Sequence, residues 1–141
     1  IQPEFESTLR FTEGLAAVQV NDKYGYINQS GKYVIKPQFH DAWEFTDGLA
    51  AVQVGKKWGF VNAKGEMVVP AQYDKTTNFS QGLAAVKVND KYGFINKTGK
   101  MVIPPQFDLA LAFTDELALV YARGGAGYIN KQGEFIWNPT N

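Results

Sequence analysis

The chain has 141 residues with no cysteine, 14 basic and 14 acidic side chains, and a hydrophobic content of 45%. The zero formal charge argues against nucleic acid or an anionic membrane as a partner, because both require a concentrated positive surface, and the lack of cysteine excludes disulfides and thiolate metal sites. No apolar run approaches the roughly 18 to 20 residues of a membrane helix, so membrane insertion is not expected.

A unit of 34 residues recurs four times without insertion or deletion. Each copy carries a phenylalanine, a leucine, an asparagine and two glycines at the same places. These residues are Phe11, Phe45, Phe79 and Phe113; Leu15, Leu49, Leu83 and Leu117; Asn28, Asn62, Asn96 and Asn130; Gly25, Gly59, Gly93 and Gly127; and Gly31, Gly65, Gly99 and Gly133. A fixed period of this size is typical of stacked repeat arrays, since so short a unit cannot bury a core alone.

The chain ends are out of phase with the repeat. Because Pro3-Glu4-Phe5 aligns with Pro37-Gln38-Phe39, residues 1–10 correspond to a partial repeat, and they carry no signal-peptide pattern. We predict an open curved array, because the repeat is shorter than the roughly 40 to 45 residues of a familiar propeller blade. The alternative is a closed propeller-like ring in which the N-terminus completes the last repeat. The predicted organisation is a single repeat domain of residues 1–141, with repeats at 11–44, 45–78, 79–112 and 113–141.

The second repeat illustrates the predicted strands. Leu49–Val54 is rich in small and branched residues and is bounded by glycine, which favours a strand over a helix. Gly55-Lys56 separates it from a second strand at Lys57–Asn62. Other copies have Asn21-Asp22 and Asn89-Asp90 at this place, and these residues tolerate the left-handed backbone of a tight hairpin.

A second turn follows, because the pattern Asn-x-x-Gly recurs in all four copies, beginning with Asn28 and Gly31. The asparagine side chain can cap the turn, while the glycine accepts a positive φ and begins the next strand as a bulge. The third strand is predicted at residues 67–69 and is expected to end at Pro70 or to lie at a sheet edge, since proline donates no ladder hydrogen bond. Each unit is thus predicted to be a three-stranded meander.

The copies differ most at residues 40–44, 74–78 and 108–112. The aromatic residues just before them, Phe39, Tyr73 and Phe107, are expected to fill the interface with the next unit. Positions that vary on a constant fold are either idle loops or the surface that carries function. The candidate interaction surface consists of His40, Trp43, Glu44, Lys75, Thr77, Leu109 and Leu111.

A mid-strand glycine lies between two rings in the first three copies, as in Trp58-Gly59-Phe60. Glycine weakens a strand, so its recurrence suggests that a ring from a neighbouring strand or unit covers the bare backbone. Burial is the favoured role of the rings before the glycines. The alternative is an exposed ladder on which sugars stack, formed by Tyr24, Trp58 and Tyr92.

These residues resemble the bacterial WG repeat proteins, whose units are similar to K-[WY]-G-[FY]-I-[ND]-x-x-G-x-x-[VI]-I-x-P-x-[FY] followed by F-[ST]-x-G-L-A. The matching stretches include Lys57–Asn62, residues 70–73 and residues 79–84, and the resemblance covers essentially the whole chain. It implies a bacterial all-β repeat module, often attached to other domains and often exported or found in the cell envelope. It implies no settled activity and no catalytic residues.

The fourth copy departs from the pattern. Glu116 replaces the lead-in glycine, Ala126 stands where Trp58 stands in the second copy, and Arg123-Gly124-Gly125 replaces the usual turn. Terminal units of stacked arrays commonly lose interface residues because one side meets solvent. The fourth copy is therefore expected to be a degenerate cap.

No enzymatic activity, metal or cofactor is expected. His40 is the only histidine and stands in a variable segment, and the glycine-rich residues 124–127 open no helix. The preferred hypothesis is a non-enzymatic scaffold that binds protein, with a glycan-binding or cell-envelope-binding module as the alternative. Head-to-tail self-association is a further possibility, because the offset chain ends could join copies.

Overall fold

The computed structural model describes residues 11–122 and 125–137, and of Trp137 it describes the backbone alone. The partial repeat predicted at residues 1–10 and the turn at Arg123-Gly124 lie outside the described residues. The strands are β1 (Leu15–Val20), β2 (Lys23–Asn28), β3 (Tyr33–Phe39), β4 (Asp41–Thr46), β5 (Leu49–Val54), β6 (Lys57–Asn62), β7 (Met67–Tyr73), β8 (Lys75–Thr76), β9 (Leu83–Val88), β10 (Lys91–Asn96), β11 (Met101–Phe107), β12 (Leu109–Ala110), β13 (Ala118–Ala122), β14 (Gly125–Ile129) and β15 (Phe135–Trp137).

The strands form four antiparallel sheets, and none of them closes into a barrel, which confirms the all-β prediction. Sheet 1 has the order β1-β2-β3, sheet 2 the order β4-β5-β6-β7, sheet 3 the order β8-β9-β10-β11 and sheet 4 the order β12-β13-β14-β15. The predicted three-stranded meander is common to all four sheets. In sheets 2 to 4 a fourth strand precedes it, and this strand comes from the variable segments.

The predicted turns form as their residue types require. Asn21 and Asp22 both have positive φ values, of 52° and 67°, in the tight turn between β1 and β2. In the Asn-x-x-Gly turn, Asn28 Oδ1 accepts hydrogen bonds from the backbone N–H groups of Ser30 at 2.9 Å and Lys32 at 3.1 Å. The same side-chain cap recurs at Asn62, Asn96 and Asn130. The prediction of an asparagine-capped turn is confirmed.

The mid-strand glycine faces backbone rather than a ring. A Cβ atom at Gly59 would lie 2.4 Å from the carbonyl oxygen of Val69 and 2.8 Å from the carbonyl carbon of Pro70. In sheet 1 the register shows the cause, because three residues of β3 oppose Gly25 between the partners of Tyr24 and Tyr26. The expectation that a ring covers this glycine is wrong: the bulged neighbouring strand leaves no room for a side chain.

The proline does not end the third strand. β7 continues through Pro70 as far as Tyr73, where the sequence predicted an end at residue 69. The strand tolerates proline because the residue lies in the bulge opposite glycine, where a ladder hydrogen bond is already missing. The alternative prediction of an edge position is confirmed, since β7 is the end strand of sheet 2.

The lead-in of each repeat is a two-residue hairpin turn. Thr12 and Leu15 exchange two backbone hydrogen bonds of 2.8 and 3.0 Å around Glu13 and Gly14, whose φ values are 53° and 83°. Two successive positive φ values are the mark of the type I′ turn, which matches the twist of the flanking strands. In the fourth copy Glu116 holds a φ of 69° where the other copies have glycine.

The chain divides into two compact units, Ile1–Gln72 and Tyr73–Asn141. In each unit the core lies between two sheets, and Phe39 and Phe107 are buried in these cores, as expected for interface aromatics. The core of the first unit contains Leu15, Tyr26, Ile35, Phe39, Ala42, Phe45, Ala50, Val52 and Val61. That of the second contains Leu83, Ala85, Tyr92, Phe94, Ile103, Phe107, Ala110, Phe113, Ala118, Val120 and Ile129. In the part of the chain that the structure describes, no helix is long and apolar enough to cross a membrane.

Candidate interaction surface

The variable segments share one backbone arrangement in three copies. The N–H groups of His40, Asp74 and Asp108 each donate a hydrogen bond to the first strand of the following meander, at 2.9, 3.2 and 2.7 Å. The acceptors are the carbonyl oxygens of Gln53, Lys87 and Tyr121. A constant backbone therefore presents different side chains at equivalent places.

In sheet 2 the structure brings together two tryptophans that the sequence assigned to different roles. The ring centroids of Trp43 and Trp58 are 4.5 Å apart, with the planes tilted by 40°. Trp43 is half-buried, and Trp58 is 8% exposed. Trp43 therefore contributes to packing as well as to the candidate surface.

A tyrosine of sheet 1 forms a hydrogen bond with the main chain of residues 40–44. The Tyr26 hydroxyl donates a hydrogen bond of 2.5 Å to the carbonyl oxygen of Trp43. Burial raises the pKa of Tyr26 far above its usual range, and the negative charge of Asp41 adds to this shift. The hydroxyl thus stays neutral and serves as a buried donor.

His40 is exposed, as expected, but its ring has fixed neighbours. The ring nitrogen Nδ1 accepts a hydrogen bond of 3.0 Å from the backbone N–H of Gly55, and Nε2 lies 3.4 Å from Nζ of Lys23. The ring therefore braces the turn between β5 and β6. Glu44, later in the same segment, is half-buried.

In residues 74–78 one side chain is exposed and another is part of the hydrogen-bonded structure. Lys75 is exposed and lies directly opposite Lys87 on the neighbouring strand. Thr77 is half-buried, and its hydroxyl accepts a hydrogen bond of 3.0 Å from the N–H of Ala85 and donates one of 3.1 Å to the carbonyl of Asn78. Lys75 can meet a partner, whereas the Thr77 hydroxyl is already engaged within sheet 3.

Two leucines of residues 108–112 are exposed. Leu109 and Leu111 are 41% and 43% exposed, and Leu109 pairs with Tyr121 across the strands. Asp108, at the start of the segment, forms an ion pair with Lys91. The three segments therefore differ in charge and polarity, from histidine and tryptophan to lysine to leucine.

The proposed aromatic ladder is largely covered. Trp58 and Tyr92 are each 8% exposed, and Tyr24 is half-buried against the core of the first unit. Lys87 Nζ lies 5.9 Å from the centroid of the Tyr92 ring. The burial of Trp58 and Tyr92 favours a packing role over a stacking surface for sugars, whereas Tyr24 keeps part of its ring exposed.

The sequence analysis missed a polar link between successive lead-in turns. Glu13 Oε1 accepts a hydrogen bond of 2.9 Å from the N–H of Gly48, and Gln81 Oε1 accepts one of 2.9 Å from the N–H of Glu116. The signal was a Glu, Asp or Gln at this turn position in every copy. Each link joins residues that are one repeat apart, so it ties neighbouring sheets together.

The fourth copy also moves an aromatic ring across strands. Ala126 replaces the usual ring, but its cross-strand partner is Tyr121, where the second and third copies have Gln53 and Lys87. The ring is thus lost on one strand and regained on its neighbour. Comparing cross-strand pairs, rather than single positions, would have revealed the exchange in the sequence.

In the described ranges, no group of three or more histidine and carboxylate side chains is placed to hold a metal ion. The features that recur are instead three-stranded meanders and capped turns, with a varying edge segment added in sheets 2 to 4. Together they define a β-repeat protein.

The sequence profile of the WG containing repeat matches residues 1–24, 24–58, 58–92 and 92–124. The chain belongs to this family. A comparison with curated proteins gave no match.

Among solved structures, the chain is similar to KlHsv2 with loop 6CD replaced by a Gly-Ser linker. The TM-score is 0.54 at 11% identity, over 90% of this chain and 49% of that chain, so the present chain spans about half of that structure. A plant lectin with two metal binding sites from Cicer arietinum aligns with a TM-score of 0.36 at 11% identity, over 88% and 87% of the two chains. At such identities the first similarity describes the fold alone, and the second carries no argument.

Proposed function

We propose that this protein is a non-enzymatic scaffold that binds a protein partner through residues 40–44, 74–78 and 108–112. The observation that carries the proposal is the backbone hydrogen bond shared by His40, Asp74 and Asp108: one main-chain arrangement carries mostly different side chains in the three segments. A structural role alone would favour the same residue in each copy. Variation concentrated in the added edge segment of sheets 2 to 4 is instead suited to recognition of an irregular protein surface.

The repeat architecture supports binding rather than catalysis. An active site is normally one unique constellation, whereas this chain repeats its residues at a fixed spacing. The single histidine, His40, has both ring nitrogens beside neighbours, Gly55 and Lys23. The family resemblance favours a bacterial envelope or extracellular setting for this scaffold.

The test uses His40 and Lys75, the exposed polar residues of segments 40–44 and 74–78. His40→Ser combined with Lys75→Ser should weaken the affinity for a partner, first identified by photo-crosslinking, by at least about tenfold, or roughly 1.4 kcal/mol. The matched control is Lys64→Ser with Lys97→Ser, since these exposed lysines lie on the constant Asn-x-x-Gly turns. Calorimetric titration measures both variants. Wild-type affinity in the segment variant, or equal losses in both variants, would contradict the placement.

A glycan-binding module is the second candidate, with Tyr24, Trp58 and Tyr92 as the stacking residues. The burial of Trp58 and Tyr92 speaks against it, because a stacked sugar must reach a ring face. A glycan array separates the two proposals: strong binding that Tyr24→Ala abolishes would favour the glycan site, and a blank array would favour the scaffold.

A further inference from the structure

An open pocket in sheet 1 is formed by the turn between β1 and β2 together with strand β3. Its volume is about 500 Å³, within the range of about 300 to 1,000 Å³ that is usual for small-molecule sites. The residues that line it are Val20, Asn21, Lys23, Tyr33, Lys36 and Pro37. Two of them are lysines and none is acidic, since Asp22 of the same turn does not line the pocket. The lining is therefore suited to an anion rather than a cation.

Lys23 lacks the acidic partner that the equivalent lysine has in the third copy. Lys91 forms an ion pair with Asp108, and the residue at the place of Asp108 in the first copy is His40. The Nδ1 atom of His40 accepts the N–H of Gly55, so the neutral ring carries its proton on Nε2, which lies 3.4 Å from Lys23 Nζ. Two donors thus face each other where the third copy has a carboxylate. A bound anion would supply the acceptor that Lys23 lacks.

Lys36 adds a second positive charge that the other copies do not have. The second and third copies have Pro70 and Pro104 at its place, and the fourth has Asn138. Within the described part of the chain, neither Lys36 nor Lys23 forms an ion pair. Two ammonium groups on one pocket repel each other, and a bound anion with two negative charges would remove this repulsion.

The walls of the pocket are apolar and partly aromatic. Tyr33 is 39% exposed and is replaced by methionine in the second and third copies. Val20 and Pro37 are half-buried. Aromatic and apolar side chains of this kind commonly pack against the body of a small ligand. The pocket therefore offers room for a ring beside the group that carries the charge.

We propose that this pocket binds a small molecule in which a phosphate monoester is attached to a ring. A phosphate monoester carries close to two negative charges at neutral pH, which matches Lys23 and Lys36, and lysine is a common phosphate ligand. The departures of the first copy at residues 33, 36 and 40 all fall around this pocket, so the site is expected in the first copy alone. No lining residue belongs to the segments assigned to the protein partner.

Calorimetric titration with phenyl phosphate tests the site. Lys23→Met and Lys36→Pro should each weaken the affinity at least about tenfold. Lys36→Pro gives the first copy the two prolines that the third copy already has at these places, so the sheet can fold. Lys57→Met is the matched control, because Lys57 holds the place of Lys23 in the second copy, and it should leave the affinity unchanged. A wild-type chain that does not bind phenyl phosphate, wild-type affinity in either pocket variant, or an equal loss in Lys57→Met would overturn the proposal.

Three further probes test the class of ligand. Benzoate has the ring but only one negative charge, and inorganic phosphate has the charge but no ring, so both should bind more weakly than phenyl phosphate. Equal affinity for benzoate would contradict the match to two charges, and equal affinity for inorganic phosphate would contradict the contribution of the Tyr33 wall. A phosphotyrosine peptide that binds much more tightly than phenyl phosphate would assign the pocket to a protein ligand and overturn the small-molecule proposal.

Amide chemical shifts in nuclear magnetic resonance spectra locate the ligand without any substitution. In the wild-type chain, phenyl phosphate should shift the amide signals of Asn21, Lys23 and Lys36 more than those of Asn89 and Lys91, which hold the equivalent places in the third copy. Similar shifts in both copies would show non-specific attraction to lysine and contradict the site. The pocket variants leave residues 40–44, 74–78 and 108–112 intact, so their outcome is separate from that of the scaffold proposal.

Discussion

The hydroxyl of Tyr26 binds the backbone carbonyl of Trp43 at 2.5 Å, and through this bond the constant core of sheet 1 holds the variable segment of sheet 2. The next two copies have Phe60 and Phe94 at the place of Tyr26. The fourth copy has Tyr128 there, so a hydroxyl stands at this place in the first and last copies and is absent from the two between them. Loss of the Tyr26 hydroxyl should affect this segment more than the strand that carries it.

Tyr26→Phe should lower the free energy of unfolding by about 1 kcal/mol, the usual net contribution of a buried hydrogen bond. Urea denaturation followed by tryptophan fluorescence measures the change, since Trp43 and Trp58 lie next to the segment. Tyr121→Phe is the control, because Tyr121 is exposed and its hydroxyl can bind water. Equal losses of unfolding free energy in the two variants would show that the hydrogen bond from Tyr26 contributes no more to stability than an exposed tyrosine hydroxyl.

The raised pKa of Tyr26 predicts a loss of stability at alkaline pH. The folded chain keeps this proton above pH 10, while the unfolded chain releases it near the ordinary tyrosine pKa of about 10. The stabilisation is thus fully present below pH 10 and declines as the pH rises further, by up to about 1.4 kcal/mol per pH unit. Urea titrations from pH 8 to 11 should give a shallower decline for Tyr26→Phe than for wild type. An equal decline of the unfolding free energy with pH in wild type and Tyr26→Phe would contradict the raised pKa of Tyr26.

Gly59→Ala should be severely destabilising, by about 3 kcal/mol or more. The added Cβ would lie 2.4 Å from the Val69 carbonyl oxygen, and backbone on both sides of the bulge would have to move. Gly55→Asn is the matched control, because Gly55 has a φ of 64°, a Cβ there meets nothing within 4 Å, and asparagine occupies this place in two other copies. Thermal unfolding compares the variants. A Gly59→Ala variant as stable as Gly55→Asn would refute the steric account.

Glu116→Gly should be more stable than Glu116→Ala by about 1 kcal/mol, because a left-handed backbone strains residues that have a Cβ. The comparison with alanine removes the carboxylate in both variants, and with it the ion pair that Glu116 makes with Lys131 at 3.5 Å. Wild type should lie between them, since it keeps both the strain and this weak surface pair. If alanine proves at least as stable as glycine, the strain is relieved in some other way.

Glu13→Ala should lower stability by about 0.5 kcal/mol, since the exposed Gly48 N–H loses its acceptor but can bind water. Glu13→Gln should be nearly neutral, because Gln81 accepts the equivalent hydrogen bond in the second unit. Hydrogen exchange at Gly48 gives a local measurement: its protection should fall in the alanine variant and persist in the glutamine variant. Unchanged protection in both would mean that the link does not form in solution.

The features that the sequence predicted are local ones. The hairpin at Asn21-Asp22 and the turn capped by Asn28 depend on residues that are neighbours in the chain, so their residue types suffice. The bulge at Gly59 depends on how many residues of the next strand oppose it, and that count is a property of the pairing. Hydrophobic alternation in a single strand does not record it.

The sequence predicted which residues form the candidate surface, but it did not predict the strands that these residues form. The variable segments were found by comparing copies, yet β8 and β12 have two residues each and carry no strand pattern of their own. The contact of Trp43 with Trp58 joins two strands separated by a third, which periodicity within one strand does not reveal. Only the sheet order shows that Trp43, from the candidate interaction surface, packs against Trp58, from the proposed aromatic ladder.

The prolines of the end strands have a consequence for how this protein behaves at high concentration. β3, β7 and β11 are end strands of their sheets, and they carry Pro37, Pro70 and Pro104. A strand interrupted by proline is a poor template for another chain, because a growing ladder would lack a donor at that place. Molecules crowded together should therefore not extend one another's sheets along these edges, so pairing between strands of different copies is restricted to the other end strands, at β1, β4, β8, β12 and β15.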